Sequence, residues 1–147
     1  MSKLLIPVDG SDHSLKALEA VLKRRSCGDS SEIHLLNVQL PIDSGHARMF
    51  VSDAELNAYH QAEGSEALAS ATKLLDASST PYTCHIVVGH VAETIVRFAR
   101  EHAFDEIIMG THGRSALTHL LLGSIAFDVL RTTELPVTLV KSPVATP

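Results

Sequence analysis

Three glycines and a serine between residues 110 and 124 have the types and the order that bind an anion. The segment reads GTHGRSALTHLLLGS, with Ser124 directly after the last glycine. An apolar run at 106–109 precedes it, and a helical pattern at 125–131 follows it. A strand, a glycine-bearing loop and a helix N-terminus in this order present main-chain N–H groups and the positive end of a helix dipole to a ligand. The segment therefore predicts a bound phosphate group.

Asp9 is a second candidate, because it ends the first strand-like run and begins the turn Asp9-Gly10-Ser11-Asp12. At the carboxyl end of a central strand its carboxylate can contact a ligand or help to position a magnesium ion. The alternative is an Asx turn, in which the aspartate only orders the loop. Its position in the chain favours the ligand role.

Other kinds of chemistry lack their motifs. No lysine stands between Gly110 and Ser124 to reach the β- and γ-phosphates, so the segment predicts a binder with slow or no hydrolysis. Ser124 is not within a Gly-x-Ser-x-Gly elbow, and no catalytic residue is assigned. The nine histidines and two cysteines have no metal-ligand spacing, so we expect no metal held by the protein alone.

The elements that position these residues alternate between strands and helices. Strands are predicted at 3–8, 33–38, 82–88, 106–109 and 137–141, and helices at 12–25, 53–77, 91–101 and 125–131. This alternation predicts an α/β sandwich around a mainly parallel sheet with right-handed crossovers. Ligands of such sheets bind beyond the carboxyl ends of the strands, where Asp9, Val38, Gly89 and Gly110 should converge.

The remaining segments give weaker signals. Residues 39–51 are predicted to be a flexible loop and the tail 142–147 to be loose, whereas Ser52 to Glu55 match a capping box that begins a helix. Cys84 is predicted to be a small buried hydrophobe. Pro136 places the fifth strand at a sheet edge, because proline cannot donate to a ladder.

Length and composition restrict the class of protein. The 147 residues predict one domain, 1–147, and the net charge of −5 argues against a nucleic-acid partner. No signal peptide and no membrane span is predicted, and we expect a cytoplasmic protein.

Several motifs together resemble the universal stress protein family, specifically its nucleotide-binding branch. The glycine segment matches the spacing of the family's nucleotide-binding motif: glycine, two residues, glycine, nine residues, then glycine and serine. The similarity extends over nearly the whole chain, through LLIPVDGS at 4–11, VGHV at 88–91, GRS at 113–115, LLLGS at 120–124 and LPVTLV at 135–140.

The resemblance implies an adenine-nucleotide alpha-hydrolase-like fold, with five parallel strands in the order 3-2-1-4-5 and helices on both faces. It implies ATP, or ADP or AMP, across the switch point, with magnesium possible near Asp9. Asp9 would be the ribose or adenine-side carboxylate, and the Val38 main chain an adenine contact. The ribose and phosphates would be held by Gly110, Gly113, Gly123 and Ser124, with further lining from Pro7, Val8, Met109, His112, Arg114 and Ile125.

The function expected from these observations is regulatory binding of ATP during stress, with an unknown protein partner. The resemblance also implies a homodimer through the fifth strand, at Val137, Thr138, Leu139 and Val140. Two alternatives remain open. One is a slow ATPase or nucleotidyl-transfer enzyme on the same fold, and the other is a dimeric interaction module without a ligand.

Overall fold

The computed structural model of the chain describes residues 1–42, 45–112 and 122–141. Within them the strands are β1 (Lys3–Pro7), β2 (Glu32–Gln39), β3 (Thr83–Val88), β4 (Glu106–Gly110) and β5 (Val137–Val140). The helices are α1 (Asp12–Ser26), α2 (Gly45–Phe50), α3 (Asp53–Ala77), α4 (Val91–Glu101) and α5 (Ser124–Thr132).

The five strands form one parallel sheet in the order β3-β2-β1-β4-β5, as the resemblance implied. β1 pairs with β2 on one side, through Pro7 and Leu36, and with β4 on the other, through Leu5 and Ile107. The order reverses between β1 and β4, so the carboxyl ends of these two strands form the crevice in which such sheets bind ligands.

Two hydrophobic layers cover the sheet. One face packs on α1 and α3, with a buried cluster that includes Leu4, Ile6, Leu18 and Leu68. The other packs on α4 and α5, with a cluster that includes Leu5, Leu36, Ile95, Ile107 and Val129. Successive residues of β1 contribute side chains to opposite clusters, because successive side chains of a strand point to opposite faces of the sheet. The three-layer sandwich predicted from the sequence is therefore confirmed.

Helix caps follow the sequence closely. Ser11 caps α1 and accepts from the Ser14 N–H, and Ser52 caps α3 and accepts from the Glu55 N–H at 3.1 Å. Gly10 and Gly28 adopt positive φ values of 86° and 102° in the turns at the two ends of α1. Glycine reaches this region without the steric penalty of a side chain.

Two predictions are wrong. Residues 45–50 form the short helix α2, and Gln39 belongs to β2, so 39–51 is not one loop. Six residues are too few for apolar periodicity to identify a helix. Cys84 is exposed, because β3 is an edge strand of the sheet and not an inner one.

The predicted edge position of the fifth strand is confirmed, because β5 pairs only with β4 within the described sheet. The loose tail predicted at 142–147 lies outside the described residues. No helix in the described ranges is long and apolar enough to cross a bilayer.

Candidate functional site

The carboxyl ends of β1 and β4 lie side by side and carry the predicted ligand-binding segments. Asp9 follows β1, and Thr111 and His112 follow β4. The N–H of Gly123 donates to the carbonyl of Thr111 at 2.6 Å, which brings the start of α5 to the same edge. Asp9, Thr111 and Gly123 are therefore brought to the switch point, whereas Gly89 follows the edge strand β3, two strands from β1, and bonds to Gln39.

Asp9 is held by donors from the start of α1. Its Oδ1 accepts from the Ser11 N–H at 2.9 Å and from the Ser14 hydroxyl at 2.7 Å. The first bond closes the Asx turn that the sequence offered as an alternative. The turn and a ligand role are compatible, because the turn fixes the carboxylate at the edge of the crevice.

Close packing against α1 requires a glycine at position 110. A Cβ at this position would lie 2.7 Å from the main-chain oxygen of His13 in α1 and 2.9 Å from its carbonyl carbon. Contacts this short are essentially never made by a real Cβ, so the last residue of β4 touches the first turn of α1 directly. The glycine keeps the two sides of the crevice close together.

The start of α5 differs from the start of α1. Gly123 is the N-cap of α5 and brings no capping side chain, whereas Ser11 caps α1. The first N–H groups of a helix have no partner inside the helix, and they attract anions. Ser124 is exposed beside them, so this end of α5 suits a phosphate.

The main chain of Val38 faces the space beyond the carboxyl end of β1. Val8 N donates to the Leu36 carbonyl at 2.8 Å, whereas Gly89 N donates to the Gln39 carbonyl, so alternate residues of β2 face β1 and β3 in turn. Val38 is two residues beyond Leu36, and its N–H and C=O therefore face the β1 side past the last paired residue, Pro7.

The other predicted residues divide into core side chains and residues at the edge. Val8 is 3% exposed and Met109 is 6% exposed, and they pack in the clusters on opposite faces of the sheet. Only their main chains are suited to contact a ligand. Pro7 and Ile125 are partly buried at the edge, whereas Gly113 and Arg114 lie outside the described residues.

Three residues near the crevice were missed by the sequence analysis. The amide of Asn37, 3% exposed, donates to the Val8 carbonyl, and Ser14 bonds Asp9 as described above. His13 lies with its ring centroid 5.5 Å from that of His112, whose Nδ1 is 3.1 Å from the Thr111 hydroxyl. A polar residue inside the apolar run of β2 was the available signal for Asn37.

Metal binding receives no support from the part of the chain that the structure describes. No group of three or more histidine, cysteine, aspartate or glutamate side chains is placed there to hold a metal ion. His34 and His85 do meet, with Nδ1 to Nε2 at 2.9 Å, but the His34 ring also contacts Phe104, which precedes β4, whereas Asp9 follows the carboxyl end of β1.

Comparison with known proteins gives one consistent result. Residues 1–141 match the family described as the universal stress protein family. Universal stress protein MJ0531 of Methanocaldococcus jannaschii is 29% identical over 154 residues, covering 96% of this chain and 82% of the relative. The solved structure of hypothetical protein MJ0577 superposes with a TM-score of 0.80 at 31% identity, covering 97% of this chain and 96% of that one.

Two more distant structures contain nucleotides. A universal stress protein in complex with cAMP has a TM-score of 0.69 at 22% identity and covers 95% of this chain and 96% of its own. A family member from Arabidopsis thaliana with AMP bound has a TM-score of 0.67 at 18% identity, covering 97% of this chain and 93% of its own. At these identities the likeness to this chain is one of fold.

Proposed function

The chain belongs to the universal stress protein family, and from that premise we propose that it is a stress-response protein that binds an adenine nucleotide, with ATP as the favoured ligand. The cAMP and AMP complexes of two family members support the ligand class. The observation that carries the proposal is the convergence of Asp9, the Val38 main chain and the start of α5, where Gly123 brings no capping side chain, at one switch point.

Each of these groups matches one part of an adenine nucleotide. The N–H and C=O of Val38 suit the adjacent acceptor and donor on the edge of adenine. The Asp9 carboxylate accepts hydrogen bonds and suits the ribose hydroxyls. The N–H groups at Ser124 and Ile125, in the first turn of α5, suit the phosphates. Gly113, Arg114 and His112 complete the predicted phosphate side, and a magnesium ion would accompany ATP near Asp9.

Binding without rapid turnover is the favoured mode. The stretch 110–124 supplies no lysine, and no general base for water was identified in the sequence. A slow ATPase or nucleotidyl-transfer enzyme is the alternative. Steady release of phosphate from ATP that Asp9→Ala abolishes while nucleotide still binds would favour the enzyme.

A homodimer through β5 is the second part of the proposal. β5 is an edge strand, and Phe127 and Leu130 of the neighbouring α5 are 53% and 47% exposed. Exposed apolar side chains near a strand that forms the edge of the described sheet favour pairing with a second copy. Light scattering at micromolar concentration should give twice the chain mass of 15.8 kDa, and a monomer mass would contradict this part.

The nucleotide proposal is tested by titrating ATP with magnesium into purified protein and following heat and thermal stability. Saturable binding with a rise in Tm is expected, because a ligand that binds only the folded state stabilises it. Asp9→Ala should weaken the effect, whereas Asp12→Asn, a change at an exposed aspartate three residues away, should leave it intact. No heat and no shift would favour an interaction module without a ligand.

A further inference from the structure

Ser14 is a buried hydroxyl on the first turn of α1, and its contacts are directed at Asp9. The residue is 5% exposed. Its Oγ donates to Asp9 Oδ1 at 2.7 Å and accepts from the Asp9 N–H at 3.2 Å. One hydroxyl therefore bonds both the side chain and the main chain of the same residue. It restricts the rotamer of the Asp9 side chain and the position of the Asp9 main chain.

The neighbouring serine completes this arrangement. Ser11 Oγ lies 3.2 Å from Ser14 Oγ, and the Ser11 N–H donates to the same Asp9 Oδ1. Because the Ser14 hydrogen is committed to Asp9, the Ser11 hydroxyl is the donor between the two serines. These two donors reach Asp9 Oδ1 from the α1 side and so restrict rotation of the carboxylate.

The orientation of the carboxylate plane decides whether it can accept hydrogen bonds from a ribose. The 2′- and 3′-hydroxyls are adjacent donors, and a carboxylate accepts from both only in a narrow range of orientations. Asp9 stands in a turn next to Gly10, which has a positive φ, and an aspartate in such a turn has alternative rotamers unless its surroundings select one.

We propose that Ser14 is a positioning residue that holds the Asp9 carboxylate in the orientation that reads the ribose hydroxyls of the nucleotide. The inference rests on the proposed function. Ser14 is buried and bonded to Asp9, so its removal should damage discrimination between sugars more than binding of the base and the phosphates.

The experiment compares affinities for ATP and 2′-deoxy-ATP in the full chain. The wild type should prefer ATP by about tenfold, the effect of one hydrogen bond to a charged group. Ser14→Ala should bring the ratio of affinities close to one. Ser14→Cys, which keeps a weak donor of similar size, should give an intermediate ratio and serves if the alanine variant folds poorly.

Ser26→Ala, the same substitution at the other end of α1, is the matched control. It removes an exposed hydroxyl that donates to the Lys23 carbonyl and should keep the ratio near that of the wild type. A Ser14→Ala ratio equal to the wild type, a wild-type ratio near one, or an equal loss in Ser26→Ala overturns the role of Ser14. Absence of ATP binding by the wild type overturns the proposed function as well, which separates the two failures.

Discussion

The side-chain amide of Asn37 donates to the main-chain carbonyl of Val8 at 2.8 Å, inside the sheet and 29 residues away in the sequence. Gln39 in turn donates to the Asn37 Oδ1 at 2.7 Å. These bonds join β2 to the end of β1 at the point where β1 leaves the ladder. They therefore set the spacing between Asp9 and the main chain of Val38, on which the proposed site depends.

Replacing Asn37 tests this bond. Asn37→Leu keeps the size of the side chain but leaves a buried carbonyl without this donor, and it should lower the free energy of unfolding by about 1 to 3 kcal/mol. Affinity for ATP should fall as well. Urea denaturation and titration measure the two effects. Gln39→Ala, a change at a partly exposed residue, is the control and should have the smaller effect. A neutral Asn37→Leu would contradict the role of the bond between Asn37 and Val8.

Gly110→Ala tests the contact between β4 and α1. The new Cβ would meet the His13 main chain at 2.7 Å, so α1 has to move away from β4. We expect a loss of stability of about 1 to 3 kcal/mol, typical of overpacking, together with weaker ATP binding.

The control is Gly45→Ala in α2, where no atom of the described residues outside its own helix turn lies within 4 Å of the added Cβ. This substitution should be neutral or mildly stabilising. Equal thermal stabilities for the two alanine variants would argue against a packing role for Gly110.

The ion pair between Arg24 and Glu106 predicts acid sensitivity. Arg24 Nη1 and Nη2 donate to the two carboxylate oxygens at 3.1 and 3.2 Å, and the Thr138 hydroxyl donates to Oε2. Burial raises the pKa of Glu106, but the hydrogen bonds from Arg24 and Thr138 lower it by more, and the net pKa lies below its ordinary value.

A lowered carboxyl pKa stabilises the folded state above the unfolded-state pKa, about 4.3 for a glutamate, and the stability is lost as the pH falls through the folded value. Glu106→Gln should therefore reduce the loss of stability between about pH 5 and pH 3, as measured by urea denaturation across that window. Glu19→Gln, at the exposed pair with Lys16, is the control and should leave the pH profile unchanged. Identical profiles for Glu106→Gln and the wild type would contradict the assignment.

His85 predicts a separate pH effect near neutrality. Burial lowers its pKa, and the positive charges of His34, His102 and Lys3 lower it further. Its Nε2 also lies 2.9 Å from His34 Nδ1, a bond that requires one of the two nitrogens to be unprotonated.

The folded state therefore binds a proton less readily than the unfolded chain, whose histidine pKa is about 6.5. Stability should fall as the pH drops below that value, and His85→Gln should remove part of the fall. The free energies of unfolding at pH 7.5 and pH 5.5 measure this fall in stability. The exposed His90→Gln is the control. A pH dependence that survives in His85→Gln but disappears in His90→Gln would refute this origin.

Local patterns in the sequence predicted the architecture well, because each element carries its own signal. Buried apolar runs identified β1, β2 and β4, and α4 was predicted with the bounds that the structure has. Helix α2 lacked a detectable period. Cys84 was misplaced because the identity of the edge strands depends on the whole sheet and not on the strand itself.

The candidate site was predicted only in part from local patterns. Gly110 and Asp9 are marked by the turns that follow their strands. Ser14 and Asn37 act through bonds that exist only once α1, β1 and β2 are assembled, so no local pattern separates them from an ordinary helix serine or strand asparagine. Their contribution becomes visible only in the folded protein.

The most direct test of the central claim is mass spectrometry of the small molecules released when the purified protein is denatured. An adenine nucleotide close to one per chain is expected from the wild type and from Asp12→Asn, with a large reduction from Asp9→Ala. A wild-type sample that releases no nucleotide and takes up none from added ATP and magnesium would contradict the central claim.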